Sequence, residues 1–281
     1  MGSRLVIKFF LSAFVIAFLN AAALAHDRTY EIETDGQKET IFVWDAHGET
    51  KGVVLFGHGW GGQPANYARL IDGWTDLGFT VEAPLNLDSD AHLRHASLPP
   101  VGMPRMVAIV GQRMETLLSL REAAKERGLP VVLAGHSFGG FVAMSHGEGK
   151  WFEGPLEGPE PAAVIAFSSP GALPPLVSDA TYSSLDVPFM MVTGTNDSTG
   201  TSMPTWEVHR FAFDRSNPGD KYLVVVVEGG HNLDALDDEE LAQPIITWSG
   251  NFLSAYASAD ASAKAALASD PIEGRITVER R

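Results

Sequence analysis

Three side chains in this 281-residue chain have the types and the order that nucleophilic acyl transfer requires. Ser137 lies in "LAGHSFGG" (133–140), with glycines close on either side. A serine hydroxyl attacks a carbonyl only when a neighbouring base takes its proton. His231, in "EGGHNLD" (228–234), carries an imidazole that can take that proton near neutral pH and later return it to a leaving group. Asp197, in "TGTNDSTG" (193–200), can accept from the other ring nitrogen, fix the tautomer and stabilise the imidazolium. Ser137, Asp197 and His231 are therefore the expected catalytic set.

Attack on a carbonyl also creates an oxyanion, which needs two preorganised N–H donors. "GHSFG" is a G-x-S-x-G element, and its glycines permit a tight strand-to-helix turn. That turn places the Phe138 N–H at a helix start, where amide donors are unpaired. "FGHGWGG" (56–62) offers the second donor, the N–H of Trp60. An ordinary Gly-Ser turn would use the same residues, and Trp60 could be simple core packing. A buried strand before Ser137 and a helix after it are the context that separates the readings. Trp60, Leu173 and Trp206 are the expected substrate-binding residues, with Phe138 beside them in an open cleft.

The other titratable residues fit less well. His58 precedes the nucleophile strand and sits in its own turn, and His136 is locked beside Ser137. His146 and His209 fall on expected helices, as surface or core residues, and His26 and His47 lie near the N-terminus. Asp179, Asp186 and Asp214 compete with Asp197, but none follows a buried strand so directly. An acid in an Asn-Asp-Ser turn can also be only a turn residue. "HLRH" (92–95) is a His-x-x-His pair near Asp88 and Asp90. It completes no familiar ligand spacing, so a solvated loop is expected and no metal site. No nucleotide-binding glycine motif and no cofactor are expected.

Short β-branched runs alternate with helical patterns along the chain. Strands are expected at 28–34, 39–45, 52–57, 79–84, 131–135, 162–169, 188–194 and 221–229, the first two paired through a turn at Asp35-Gly36. Helices are expected at 65–78, from about Val110 to Gly128, at 138–147, about 201–213 and 241–258. This alternation gives an α/β fold with a mostly parallel central sheet and helices on both faces. In such sheets ligands sit beyond the carboxyl ends of the strands. Ser137, Asp197 and His231 each follow a different expected strand. The stretch between Ser169 and Pro188 is too short for a large helical cap, so the cap is minimal or absent.

The opening "MGSRLVIKFFLSAFVIAFLNAAALA" (1–25) has the charged start, apolar run and small-residue end of an export signal, with a membrane anchor as the alternative. Its loss takes the net charge from −15 to −17 and leaves no stable membrane anchor. The expected location is secreted or periplasmic. The expected divisions are the signal at 1–25, a single domain at 26–258, and a C-terminal extension at 259–281. So acidic a surface repels nucleic acid. With no cysteine, the chain has neither disulfides nor a thiol nucleophile.

With "GHGWGG", "GHSFGG", "VTGTNDS" and "GDKYLVVVVEGGH" in place, the chain resembles α/β-hydrolases. It is most similar to secreted serine esterases grouped with bacterial dienelactone-hydrolase-like proteins and platelet-activating-factor acetylhydrolases, over about residues 50–255. It shares the glycine-serine turn and the "NDS" acid turn with cutinase-like polyester hydrolases. The resemblance implies an α/β-hydrolase fold. It also implies carboxylic ester hydrolysis by Ser137, Asp197 and His231, with Trp60 and Phe138 as oxyanion donors. The implied substrates are small-molecule esters of short to medium acyl chain, or exposed esters of a polymer. Dienelactone hydrolases use cysteine where this chain has Ser137, and the animal acetylhydrolases take their acid from an earlier strand than Asp197. A thioesterase, a peptidase or a cofactor-free haloperoxidase would use the same three residues. A non-catalytic binding protein of the same fold would not need them.

Overall fold

The computed structural model describes residues 26–281 apart from 152–153, 175, 179, 201–202, 233–237 and 270–273. The expected export signal (1–25) and the competing acid Asp179 lie outside the described residues. Among the described residues, no helix is long and apolar enough to cross a membrane.

The strands are β1 (Arg28–Thr34), β2 (Gln37–Trp44), β3 (Gly52–Gly57), β4 (Phe79–Pro84), β5 (Val131–His136), the two-residue pair β6 (Lys150–Trp151) and β7 (Gly154–Pro155), β8 (Ala163–Phe167), β9 (Phe189–Asn196), β10 (Lys221–Gly230) and β11 (Ile276–Arg280). All but β6 and β7 join one nine-stranded sheet in the order β1-β2-β4-β3-β5-β8-β9-β10-β11. The block from β4 to β10 is parallel, β2 and β11 run antiparallel to it at either edge, and β1 pairs antiparallel with β2. The β1–β2 turn has Asp35 and Gly36 both at positive φ, 50° and 67°, as a two-residue hairpin demands.

Continuous apolar runs form the central strands because both faces are covered. Along β3, Val54 and Phe56 enter one core and Val53 and Leu55 the other. The first core packs under α1 (Ala68–Thr75) and α5 (Glu239–Ala257), the second under α2 (Met103–Glu126) and α3 (Phe138–Glu148). The helix expected at 65–78 is a 3-10 turn, Pro64–Tyr67, running into α1. That expected at 201–213 is a 3-10 turn, Trp206–Arg210, running into the short α4 (Phe211–Arg215). Between β8 and β9 the described residues form turns and a Leu173–Val177 bridge, with no helical cap.

The segment expected as an extension after residue 258 is part of the domain. Asp260 caps α6 (Ala261–Ala268) by accepting from the Ser262 and Ala263 N–H groups. The chain then returns as β11, antiparallel to β10, with Val278 opposite Val224 and Ile276 opposite Val226. Ile276 is buried and Val278 packs on the core while Thr277 and Glu279 face out, so β11 covers an apolar edge with a charged one.

Candidate active site

Ser137 occupies the joint between β5 and α3, at φ 50° and ψ −117°. A non-glycine residue there is strained, and surrounding packing has to hold it. The packing is backbone on backbone. A Cβ on Gly139 would collide with the Gly57 carbonyl, and one on Gly135 with the Gly139 carbonyl. Those two glycines let β3, β5 and α3 close around the serine, whose own N–H donates to the Phe167 carbonyl at 2.7 Å.

The three expected residues meet in space. The Ser137 hydroxyl lies 3.1 Å from His231 Nε2, and His231 Nδ1 lies 2.7 Å from Asp197 Oδ1. Asp197 follows β9 directly, is fully buried, and accepts from Thr193 Oγ1 on Oδ2 at 2.8 Å. Burial alone would raise its carboxyl. The short contacts from His209 and His231, with the charge His209 can carry, outweigh burial and hold Asp197 well below the usual carboxylate range. The hydroxyl, base and carboxylate are thus in line for a proton to move from Ser137 to His231, with the resulting imidazolium facing a carboxylate.

The expected oxyanion donors flank this line. Phe138 is the first residue of α3, where helix geometry leaves N–H groups without an intrahelical acceptor. In the 58–62 loop, Gly59 N–H donates to Tyr67 Oη, Gly61 N–H to Asp88 Oδ2, and Gly62 N–H to the Gly59 carbonyl. Among the described residues, the Trp60 and Phe138 N–H groups have no partner. The Trp60 ring meets Phe138 edge to face at 5.2 Å.

A buried ion pair holds the loop. Arg113 forks onto both oxygens of Asp88, at 2.9 and 2.8 Å, and donates to the His58 carbonyl at 2.8 Å. His58 plays the structural part expected of it. Its Nδ1–H donates to the Gly59 carbonyl and its Nε2 accepts from Asn86 N–H. Burial, helped by Arg113, pushes His58 down to about 3, so it stays neutral. His136 is likewise pushed down to about 4 by burial.

A cavity of about 530 Å³ opens beside Trp60, walled by Val101, Met103, Met106, Leu173 and Leu176, with Arg105 at its edge. Trp60 and Leu173 both line this cavity. Trp206 does not line this cavity; it is half-buried against the core. The reason is that its 3-10 turn packs inward beside β9, which a helix expected over 201–213 did not foresee.

Two histidine expectations change. "HLRH" is solvated only in part: Leu93 stands out in solvent, but His92 is buried, and Glu39 of β2 takes both its Nε2–H, at 3.0 Å, and the Arg94 guanidinium. A buried carboxylate needs such partners, and two bases close in sequence supply them. His209 is not a bystander on a helix. It is fully buried, with Nε2 2.9 Å from Asp197 Oδ1. Its position 12 residues after Asp197 carries no motif, so only the folded chain reveals it. Asp197, His209 and His231 offer three ligand-type atoms within 4.8 Å of one another. Their 2.7 and 2.9 Å contacts are those of hydrogen-bonded or ion-paired groups, closer than the roughly 3.3 Å between ligands on tetrahedral zinc.

No family model matches this sequence, and no curated protein matches it. Solved structures do. A soluble variant of monoglyceride lipase from Saccharomyces cerevisiae superposes with a TM-score of 0.61 at 11% identity, covering 83% of this chain and 97% of that one. Esterase 2 from Thermogutta terrifontis gives 0.59 at 16%, covering 82% and 95%. An alpha-beta serine hydrolase homologue from Coxiella burnetii gives 0.54 at 16%, covering 79% and 97%. The chain has the α/β-hydrolase fold.

Proposed function

We propose that the chain is a serine hydrolase that cleaves carboxylic esters through an acyl-enzyme on Ser137. The observation that carries this reading is the hydrogen-bonded line from Ser137 Oγ through His231 to Asp197, beside two unengaged N–H groups. The names of the structural neighbours, several of them esterases and one a lipase, support it.

His231 Nε2 takes the Ser137 proton as Oγ bonds to the ester carbonyl carbon. The carbonyl oxygen gains the negative charge and accepts from the Trp60 and Phe138 N–H groups. The C–O bond to the alcohol breaks, and the alcohol leaves with the proton from His231. Water then gives a proton to His231 and attacks the acyl carbon, and collapse restores Ser137 and frees the acid. Throughout, Asp197 fixes the tautomer of His231 and faces its charge.

The apolar cavity beside Trp60 and the uncapped cleft favour short to medium acyl esters or exposed esters of a polymer. The motifs shared with dienelactone-hydrolase-like proteins, platelet-activating-factor acetylhydrolases and cutinase-like enzymes point the same way. A leader at 1–25 would deliver the enzyme outside the cytoplasm. The net charge of −15 disfavours nucleic acid as a partner.

The test is a fluorophosphonate probe together with p-nitrophenyl esters from acetate to palmitate. Labelling at Ser137, turnover, and loss of both in Ser137→Ala are expected. A protein that is neither labelled nor active is a binding protein of this fold. Faster turnover of thioester or peptide substrates than of any oxygen ester would reassign the reaction.

A further inference from the structure

Asp197 serves two histidines rather than one. His231 Nδ1 approaches Oδ1 at 2.7 Å, and His209 Nε2 approaches the same oxygen at 2.9 Å. The two rings pack with centroids 5.5 Å apart. His209 and Asp197 are wholly inaccessible to bulk solvent.

The other nitrogen of His209 fixes its chemistry. Nδ1 stands 2.8 Å from the Ser169 carbonyl oxygen, which can only accept, so Nδ1 carries a hydrogen. A neutral ring would then leave Nε2 beside the Asp197 carboxylate with no hydrogen to offer it. At 2.9 Å in a buried site that arrangement is unfavourable. A second hydrogen on Nε2 makes it attractive. The contact is oblique to the ring nitrogen, so it acts as an ion pair more than as a linear hydrogen bond.

The fold brings His209 there by close packing. Gly171 lies against the Val208 carbonyl, where a Cβ would collide, so the Trp206–Arg210 turn presses onto the segment that carries Ser169. Of the charged groups on this turn and on α4, Arg210 pairs with Asp214 and Glu279, Arg215 lies over the Phe211 ring, and Glu207 is exposed. Among the described residues His136 also packs against His231, at 5.2 Å between ring centroids, and burial keeps it neutral.

We infer that His209 is a positioning residue held as an imidazolium, which clamps Asp197 and shares its charge with His231. The role in the reaction rests on the hydrolase reading above. Its consequence is that the clamp keeps the carboxylate aimed at Nδ1 of His231 while the reaction proceeds.

Two measurements test this. In ¹⁵N-histidine spectra of the resting wild-type protein at pH 7, both His209 nitrogens should show the shifts of protonated nitrogens, assigned by their loss in His209→Gln. One protonated and one bare nitrogen would overturn the proposal. This readout needs no turnover, so it stands even if the probe fails to label Ser137 and the hydrolase reading falls. In steady-state kinetics, His209→Gln should lower kcat about tenfold and leave KM unchanged, because His209 touches Asp197 and not the cleft. An unchanged kcat in a folded variant would reduce His209 to packing and overturn the inference. If that variant does not fold, the wild-type spectra decide, with assignment by His209→Asn.

Discussion

The Nε2–H of His136 donates to the carbonyl oxygen of His231 across 2.6 Å. On its other side, His136 Nδ1 lies 2.8 Å from the Tyr67 hydroxyl, which accepts from the Gly59 N–H at 3.0 Å. A three-link chain thus joins the backbone that carries the proposed base to the loop that carries the Trp60 N–H. The neutrality of His136 matters here, because its two nitrogens must differ: one donates and one accepts.

Tyr67→Phe removes the middle link and leaves two buried polar groups without a partner. Stability should fall by about 1–3 kcal/mol in urea unfolding. Loosened alignment of the two loops should lower kcat by about tenfold with little change in KM. Unchanged kcat with the expected loss of stability would confine the chain to a structural role.

Gly139 and Gly111 predict opposite outcomes for the same substitution. Gly139→Ala drives a Cβ into the Gly57 carbonyl, so it should cost more than about 4 kcal/mol or prevent folding. Gly111 lies within α2, with nothing within 4 Å of where a Cβ would stand. Gly111→Ala should stabilise the protein by about 0.5–1 kcal/mol and leave activity unchanged. Melting temperatures of the two purified variants make the comparison.

Acid should weaken the fold well before the carboxylates titrate. Burial, with Arg113 beside His58 and Arg121 beside His146, pushes His58 and His146 down to about 3, and burial pushes His136 down to about 4. Each returns to about 6.5 when unfolded, so the unfolded chain binds more protons between these values. Stability is therefore lost as pH falls from about 6.5, by about 2 kcal/mol per histidine at pH 5. Asp197 works in the opposite sense. Its depressed carboxyl contributes stability above about pH 4 and loses it only in stronger acid. Urea midpoints at pH 7.5 and pH 5 should differ sharply, and His146→Gln should flatten the slope. Equal midpoints would mean that these rings charge freely in the folded protein.

Leu173 lines the cavity beside Trp60, so an indole there fills space that a longer acyl chain would use. Leu173→Trp should lower kcat/KM for p-nitrophenyl octanoate by about tenfold or more while sparing the acetate. A parallel loss on both esters would place the acyl chain elsewhere.

Much of the site was legible because local rules dictate it. A G-x-S-x-G turn after an apolar run, and an acid and a histidine after two others, mark strand ends that a parallel sheet must gather on one side. What escaped depends on distance in sequence. His209 reaches Asp197 through a 3-10 turn whose packing on Ser169 leaves no local pattern. Arg113 and Asp88 pair across 25 residues, and no local pattern marks such a pair. "ITVER" alternates as an edge strand does, but five residues after a small-residue helix say nothing of the strand they will join. Trp206 misled because a tryptophan near an expected cleft looks the same as one that packs inward.

The contact of Gly57 with Gly139 also sets one wall of the cleft apart from the other. With backbone against backbone, the Ser137 turn and the start of the Trp60 loop have no side-chain cushion between them. Across the cavity the surface is different in kind: Val101 and Met103 stand in solvent. A side chain can be exchanged on that wall without touching the joint that holds Ser137.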